Sequence, residues 1–188
     1  MKTTKRCNWC ERDALYRAYH DEEWGRPIHD DRRLFELLVL ESFQAGLSWY
    51  TILAKREGFR AAFDGFDYRL IAAYDDAKVE ALMQDIRIVR NRRKILATIQ
   101  NAALFMEIQQ EFGSFSAFIW AFVGGSPCVN HPRKLEDVPA SNQTSDAIAA
   151  ELKRRGFKFF GTTVAYAFMQ SAGLVNDHIE DCAFKYPD

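Results

Sequence analysis

The feature that most limits how this chain can fold is the spacing of its apolar residues, which return every three or four positions rather than every second one. That period puts side chains on one stripe of a helix, whereas alternation would put them on one face of a strand. Capping residues and glycines divide the pattern into segments. Asp13 caps a helix carrying Leu15, Tyr16, Tyr19 and His20, and Asp30 caps a second whose apolar face is Leu34, Leu37 and Leu38, with Gly46 ending it. Ser48 opens a helix through Trp49, Ile52 and Leu53 that stops at Gly58. A short helix covers residues 68–73, and Asp75 caps another through Val79, Leu82 and Met83. The longest helix starts near Asn91 and ends by Gly113, followed by one over residues 115–122. Thr144 or Ser145 caps a helix ending at Gly156, and Thr162 or Thr163 begins the last. Residues 124–143, with Gly124, Gly125, Pro127, Pro132 and Pro139, form the one long loop. No series of strands competes, so the predicted class is all-α.

A chain of 188 residues suits a single unit of two helical lobes, and its 15 Phe supply a sizeable core. No apolar run approaches the roughly 20 residues that span a bilayer, so no membrane is expected as a partner. The basic start, Met1 to Arg6, lacks the apolar stretch of a secretory signal, which makes the cytoplasm the expected location. In that reducing compartment Cys7, Cys10, Cys128 and Cys182 are thiols or metal ligands before they are disulfides. A net charge of −1 argues against a broadly basic nucleic-acid surface. Two local clusters qualify that: Arg87, Arg90, Arg92, Arg93 and Lys94, and then Lys153, Arg154, Arg155 and Lys158. Each reads either as a solvated helix end or as a site for phosphates.

Four groups of residues have chemistry to offer. Glu41 follows Leu34, Leu37 and Leu38 by seven, four and three positions, so it lies on their buried face. A carboxylate there is either paired or functional. Trp9, Tyr16, Tyr19, Trp24 and Trp49 gather in the same part of the chain, as core packing or as walls for a flat, cationic ligand. Cys7, His20, His178 and Cys182 are the donor types that tetrahedral zinc prefers, with the Cys7–Cys10 pair as a competing set. Residues 83–95, MQDIRIVRNRRKI, read as helix, tight turn and basic helix start, a shape that holds a phosphate.

Taken together, the segments RCNW (6–9), YHDEEWG (19–25), LESFQAGLSW (40–49), IVRNRRKI (88–95), RGFKFFGTT (155–163) and GLVNDH (173–178) resemble the 3-methyladenine DNA glycosylase I family over nearly the whole chain. The resemblance implies a helix–hairpin–helix fold in which both termini pack around one structural zinc, with residues 59–123 as central helices. It implies Cys7, His20, His178 and Cys182 as the zinc ligands. It makes Glu41 the acidic, catalytic residue of a pocket in which Tyr19 and Trp49 hold a flipped base, lined also by Trp9 and Trp24. Gly46 and Leu47 would meet the duplex gap, and Arg90, Arg92 and Lys94 would grip phosphates. Arg87 stands where many relatives have glycine. The implied activity is hydrolysis of the N-glycosidic bond of 3-methyladenine in double-stranded alkylated DNA by a monomer that releases the free base. A zinc-dependent hydrolase with an open metal position and a non-catalytic binder of damaged DNA are the competing readings.

Overall fold

A computed structural model describes residues 4–185. Ten α-helices carry the described residues: α1 (Ala14–Glu22), α2 (Asp31–Gln44), α3 (Trp49–Ala54), α4 (Arg56–Ala62), α5 (Tyr68–Ala72), α6 (Asp76–Gln84), α7 (Arg92–Phe112), α8 (Phe115–Ala121), α9 (Gln143–Arg155) and α10 (Thr162–Ser171). The capping residues act where the sequence puts them. The side chains of Asp13, Asp30, Ser48 and Asp75 accept from the backbone N–H three residues on, satisfying donors that a helix start leaves open.

α2 is the central post. Every residue from Leu34 to Phe43 is buried, because α3, α7, α8 and α10 all pack against it. A helix covered all round has no polar stripe, so its two buried carboxylates, Glu36 and Glu41, stand out. Glu36 is answered: Arg56 and Arg60 of α4 both donate to its Oε1. Glu41 has no such cation among the described residues.

Three expectations are corrected. Gly58 does not stop a helix but lies inside α4. A Cβ there would come within 2.6 Å of the Arg87 carbonyl oxygen, so glycine is needed for close approach and not for termination. The cap of α9 is Asn142, two or three residues before the expected Thr144 or Ser145; it forms a reciprocal box with Ser145. The long loop also contains Cys128–Val129, which pairs in parallel with Val175–Asn176. Two residues are too few to show alternation, so that short ladder left no trace in the sequence pattern.

The ladder matters because it brings the proline-bearing loop to the C-terminal segment. The N-terminal segment arrives there too: Gly25 N–H donates to the Gln170 carbonyl at 2.9 Å and Ala183 N–H to the Lys5 carbonyl at 3.0 Å. Gly173 permits this junction, since a Cβ at that position would lie 2.1 Å from a backbone atom of Arg26. Among the described residues no helix is long and apolar enough to cross a membrane.

Candidate active site and metal centre

The junction of α1, α2, α3 and α10 leaves a cleft of about 380 Å³. Helix α2 projects Glu41 and Gln44 into it, α1 contributes Tyr16 and Tyr19, and Trp49 stands on the first turn of α3. Trp9 enters from a short 3-10 turn, Asn8–Cys10, and Trp24 from the segment after α1. The rings support one another: Trp9 lies edge-on at 4.8 Å from Tyr16 and 5.0 Å from Trp24, and Tyr19 lies tilted at 5.4 Å from Trp49. Structure thus brings together all the aromatic residues singled out beside Glu41.

Two polar atoms in this cleft are unanswered. Glu41 Oε2 and Trp49 Nε1 are buried side-chain atoms without a hydrogen-bond partner among the described residues. Such atoms cost free energy unless something arrives to pair them. Burial pushes the Glu41 carboxyl up to about 8, while the Ser171 hydroxyl pulls the other way. At neutral pH the empty cleft therefore holds mostly a protonated acid. Burial likewise holds the Tyr19 hydroxyl well above its ordinary range, so it stays neutral.

Beside the cleft, and sharing Trp24 with it, lie Cys7, His20, His178 and Cys182, all buried, with ligand atoms within 4.8 Å of one another. His178 Nδ1 is 3.1 Å from His20 Nε2, 3.4 Å from Cys182 Sγ and 3.7 Å from Cys7 Sγ, and Cys182 Sγ is 3.6 Å from His20 Nε2. Tetrahedral zinc with nitrogen and sulfur ligands has edges of about 3.3–3.8 Å, so the donor set fits that ion and these four distances lie in or close to that range. The outer nitrogens are also occupied. His20 Nδ1 meets Asp21 Oδ1 at 2.7 Å, and His178 Nε2 meets the Trp24 carbonyl at 3.0 Å. A carbonyl only accepts, so the proton of His178 sits on Nε2 and the Nδ1 lone pair faces the cluster. Arg6 grips Asp21 through Nε and a terminal nitrogen at 2.8–2.9 Å, adding a third layer. Cys10 is excluded from this set, because its thiol donates to the Cys7 carbonyl.

Further residues line the cleft without having drawn attention in the sequence. Tyr166 and Gln170 of α10 form one wall, and Leu135, Val138 and Pro139 of the long loop another. Asp177 organises that wall from behind. It accepts from the Tyr166 hydroxyl at 2.7 Å, from Gln170 Nε2 at 2.8 Å and from Asn130 Nδ2 at 2.7 Å. The adjacent histidine in GLVNDH was the visible residue; nothing local distinguishes an aspartate that works through partners on other elements. The long loop itself was a signal, since loops of that length in compact proteins tend to be functional.

The turn after α6 spans residues 85–91, and Asn91 caps α7 by accepting from the Lys94 N–H. Arg87 makes the turn without positive φ, pairs with Asp85 at 2.7 Å and packs on Gly58, so glycine is not required at this position. Arg90 and Arg92 are exposed, with Arg92 ion-paired to Glu80. Lys94 departs from expectation. It is buried, and Nζ donates to the Phe43 and Ala45 carbonyls, each at 2.8 Å. Its ammonium is spent on the open C-terminal carbonyls of α2 and is not presented to phosphates. Directly beyond those carbonyls, Gly46 turns the chain at φ +84 and Leu47 is exposed, the two expected at a duplex gap.

Comparison with known proteins identifies the family. The methyladenine glycosylase family model matches residues 9–186. DNA-3-methyladenine glycosylase 1 of Escherichia coli K12 is 49% identical over 178 residues, covering 95% of each chain. The DNA-3-methyladenine glycosylase of Haemophilus influenzae is 45% identical over 182 residues, 97% of this chain and 98% of that one. Among solved structures, a 3-methyladenine DNA glycosylase I of Staphylococcus aureus, described for its recognition of 3-methyladenine, superposes with a TM-score of 0.94 at 36% identity, covering 98% of both chains. Another 3-methyladenine DNA glycosylase I gives 0.92 at 51% identity, covering 95% of this chain and 98% of that one. The chain belongs to the methyladenine glycosylase family.

Proposed function

We propose that this protein is a monofunctional DNA-3-methyladenine glycosylase, which takes the flipped base of alkylated double-stranded DNA into the Glu41 cleft and hydrolyses its N-glycosidic bond. The observation that carries the reading is the pair of unanswered atoms, Glu41 Oε2 and Trp49 Nε1, in an aromatic cleft. Methylation at N3 makes adenine cationic. A cation beside Glu41 restores the charged carboxylate that burial disfavours, and the carboxylate accepts from the exocyclic amine. Tyr19 and Trp49 offer ring faces to the same charge, with Trp9 and Trp24 closing the slot. Plain adenine gains less from every one of these contacts.

The base leaves readily because it departs neutral. As the bond between the sugar C1′ and the base N9 breaks, its electron pair discharges the cation; a water oxygen then bonds to C1′ and its proton is lost to solvent. The protein's work is chiefly extraction and orientation. Leu47 occupies the gap in the duplex, Gly46 lets the backbone come near, and Arg90 and Arg92 hold phosphates beside the α6–α7 turn, the helix–hairpin–helix of this reading. Zinc on Cys7, His20, His178 and Cys182 would have four protein ligands and no open position, so its contribution is to fix Trp9, Tyr19 and Trp24. The protein acts as a monomer in the cytoplasm. Base release from methylated DNA, with products resolved by chromatography, tests the reading: free 3-methyladenine from wild type, with at least a tenfold loss in Glu41→Gln, supports it. Release of no base would overturn it, and equal release by both proteins would remove Glu41 from the mechanism.

A further inference from the structure

The two basic clusters divide sharply once their partners are known. Arg87, Arg92, Arg154 and Arg155 are each ion-paired to a carboxylate, and Lys94 is held by carbonyls. Arg90, Arg93, Lys153 and Lys158 make no ion pair among the described residues. Two of these, Arg93 on the first turn of α7 and Lys158 on the α9–α10 connection, line one groove together with Phe159 and Leu96. Two cations lining one groove repel, and neither is relieved by an ion pair among the described residues.

Phe159 makes the groove more than a chance gap. Its φ is +55, a conformation unfavourable to any residue with a Cβ and more so to a bulky one. The segment is built to hold it there. Phe157 and Phe160 are buried on either side. Buried Asn101 of α7 clamps the preceding residue, donating to the Lys158 carbonyl at 3.0 Å and accepting from the Lys158 N–H at 2.9 Å. Gln100 donates to the Gly156 carbonyl at 2.8 Å. The result is an aromatic ring held in the groove, 5.8 Å from the Arg93 guanidinium and 6.0 Å from Lys94 Nζ. Through Lys94 the groove is joined to the Ala45 carbonyl, and so to Gly46 and Leu47.

We infer that the Arg93–Lys158–Phe159 groove is a second backbone-binding track for the nucleic acid, taking phosphates next to those at the α6–α7 turn, with the Phe159 ring against a sugar. This rests on the reading of the protein as a DNA enzyme. An acidic protein segment would need hydrogen-bonding partners for its amides, whereas two unpaired cations flanking an aromatic platform match a polyanion with flat, weakly polar units between its charges.

The test compares three proteins with wild type on duplex DNA containing the lesion. Arg93→Ala with Lys158→Ala removes the cations. Arg32→Ala with Arg69→Ala removes equal charge elsewhere: Arg69 adjoins Tyr68, whose hydroxyl meets Gln109, sixteen residues from Arg93 and so about 24 Å along α7. Phe159→Gly removes the ring and its strain together. We expect the first variant to flatten the slope of log affinity against log salt by roughly one to two, with saturated single-turnover base release unchanged, half-saturation raised and free 3-methyladenine affinity unaltered. The charge control should keep the wild-type slope. Phe159→Gly should melt higher than wild type yet bind duplex several-fold more weakly at every salt concentration. Equal slopes in the groove variant and the control, or loss of free-base affinity in the groove variant, would overturn the proposal. Unchanged duplex binding in Phe159→Gly would remove the ring from it. If wild type shows neither salt-dependent duplex binding nor base release, the enzymatic reading itself fails, and the groove proposal with it.

Discussion

The Cys7–His20–His178–Cys182 cluster and the Glu41 cleft are neighbours with opposite polar arrangements. In the cluster each donor atom faces the others, and both outer ring nitrogens are engaged by Asp21 and the Trp24 carbonyl. In the cleft, Glu41 Oε2 and Trp49 Nε1 have no hydrogen-bond partner among the described residues. Both regions are buried, and both share Trp24 as a wall. The difference teaches that burial of polar groups has two separate uses. Groups matched within the protein fix geometry; groups left unmatched hold free energy for a ligand to recover.

Disturbing the matched side should have the largest effect on folding. Cys7→Ala or His178→Ala, or removal of metal by a strong chelator, should destabilise the protein by ~4 kcal/mol, lowering Tm by about 10 °C. Metal analysis and thermal melts of purified protein check this. A protein that carries no metal and melts alike with and without Cys7 would break the comparison outright.

Glu41→Gln should act in the reverse sense. The folded carboxyl is raised to about 8 from an ordinary 4.5. Between those values the unfolded chain has lost the proton and the folded chain keeps it, so wild-type stability is greatest below pH 4.5, falls as pH rises through this window and levels off above 8. The glutamine variant lacks that decline. It should match wild type near pH 4.5 and exceed it by a few kcal/mol at pH 8.5, while losing base release. Denaturant unfolding at the two pH values decides, and parallel stability profiles would mean that Glu41 already has a partner.

Lys94 sharpens the comparison from the matched side. Lys94→Met leaves the buried carbonyl of Phe43 and the part-buried carbonyl of Ala45 open and should cost about 1–3 kcal/mol. Because the ammonium does not reach phosphates, the salt slope of duplex binding should stay as in wild type, and Lys94→Arg should restore most of the stability. A flatter slope in Lys94→Met would return Lys94 to the phosphate-gripping role expected from its neighbours. The smallest effect on stability belongs to Leu47, which is 41% exposed. Leu47→Ala should change it by less than about 0.5 kcal/mol. Excision from duplex should nevertheless fall several-fold with free-base affinity unchanged; equal loss of both would place Leu47 in the cleft wall instead.

Much of this architecture was legible one residue at a time. Asp13, Asp30, Ser48 and Asp75 cap the helices predicted for them, because a cap concerns a side chain and an amide three residues away. Glu41 could be placed on a buried face because its neighbours on that face are leucines of the same helix. The positions that misled are those whose meaning lies in another element. Gly58 looked like a stop and is a contact point for Arg87. Lys94 sits in a run of exposed cations yet turns inward to α2. Asp177 adjoins a visible histidine but serves Tyr166 and Gln170.

Sequence by itself therefore determined the helical class, the helix starts and the resemblance to one family, since periodicity, caps and ordered motifs are short-range properties of the chain. Which polar groups are paired was decided only by tertiary structure. Glu36 and Glu41 are both buried carboxylates of α2; spacing put Glu41 on the leucine face, but nothing in the helix says which of the two meets a cation. Glu36 is met by Arg56 and Arg60 from α4, while Glu41 opens on a cleft whose walls come from distant parts of the chain. Pairing depends on distance in space, and the charge of a buried group depends on what surrounds it after folding.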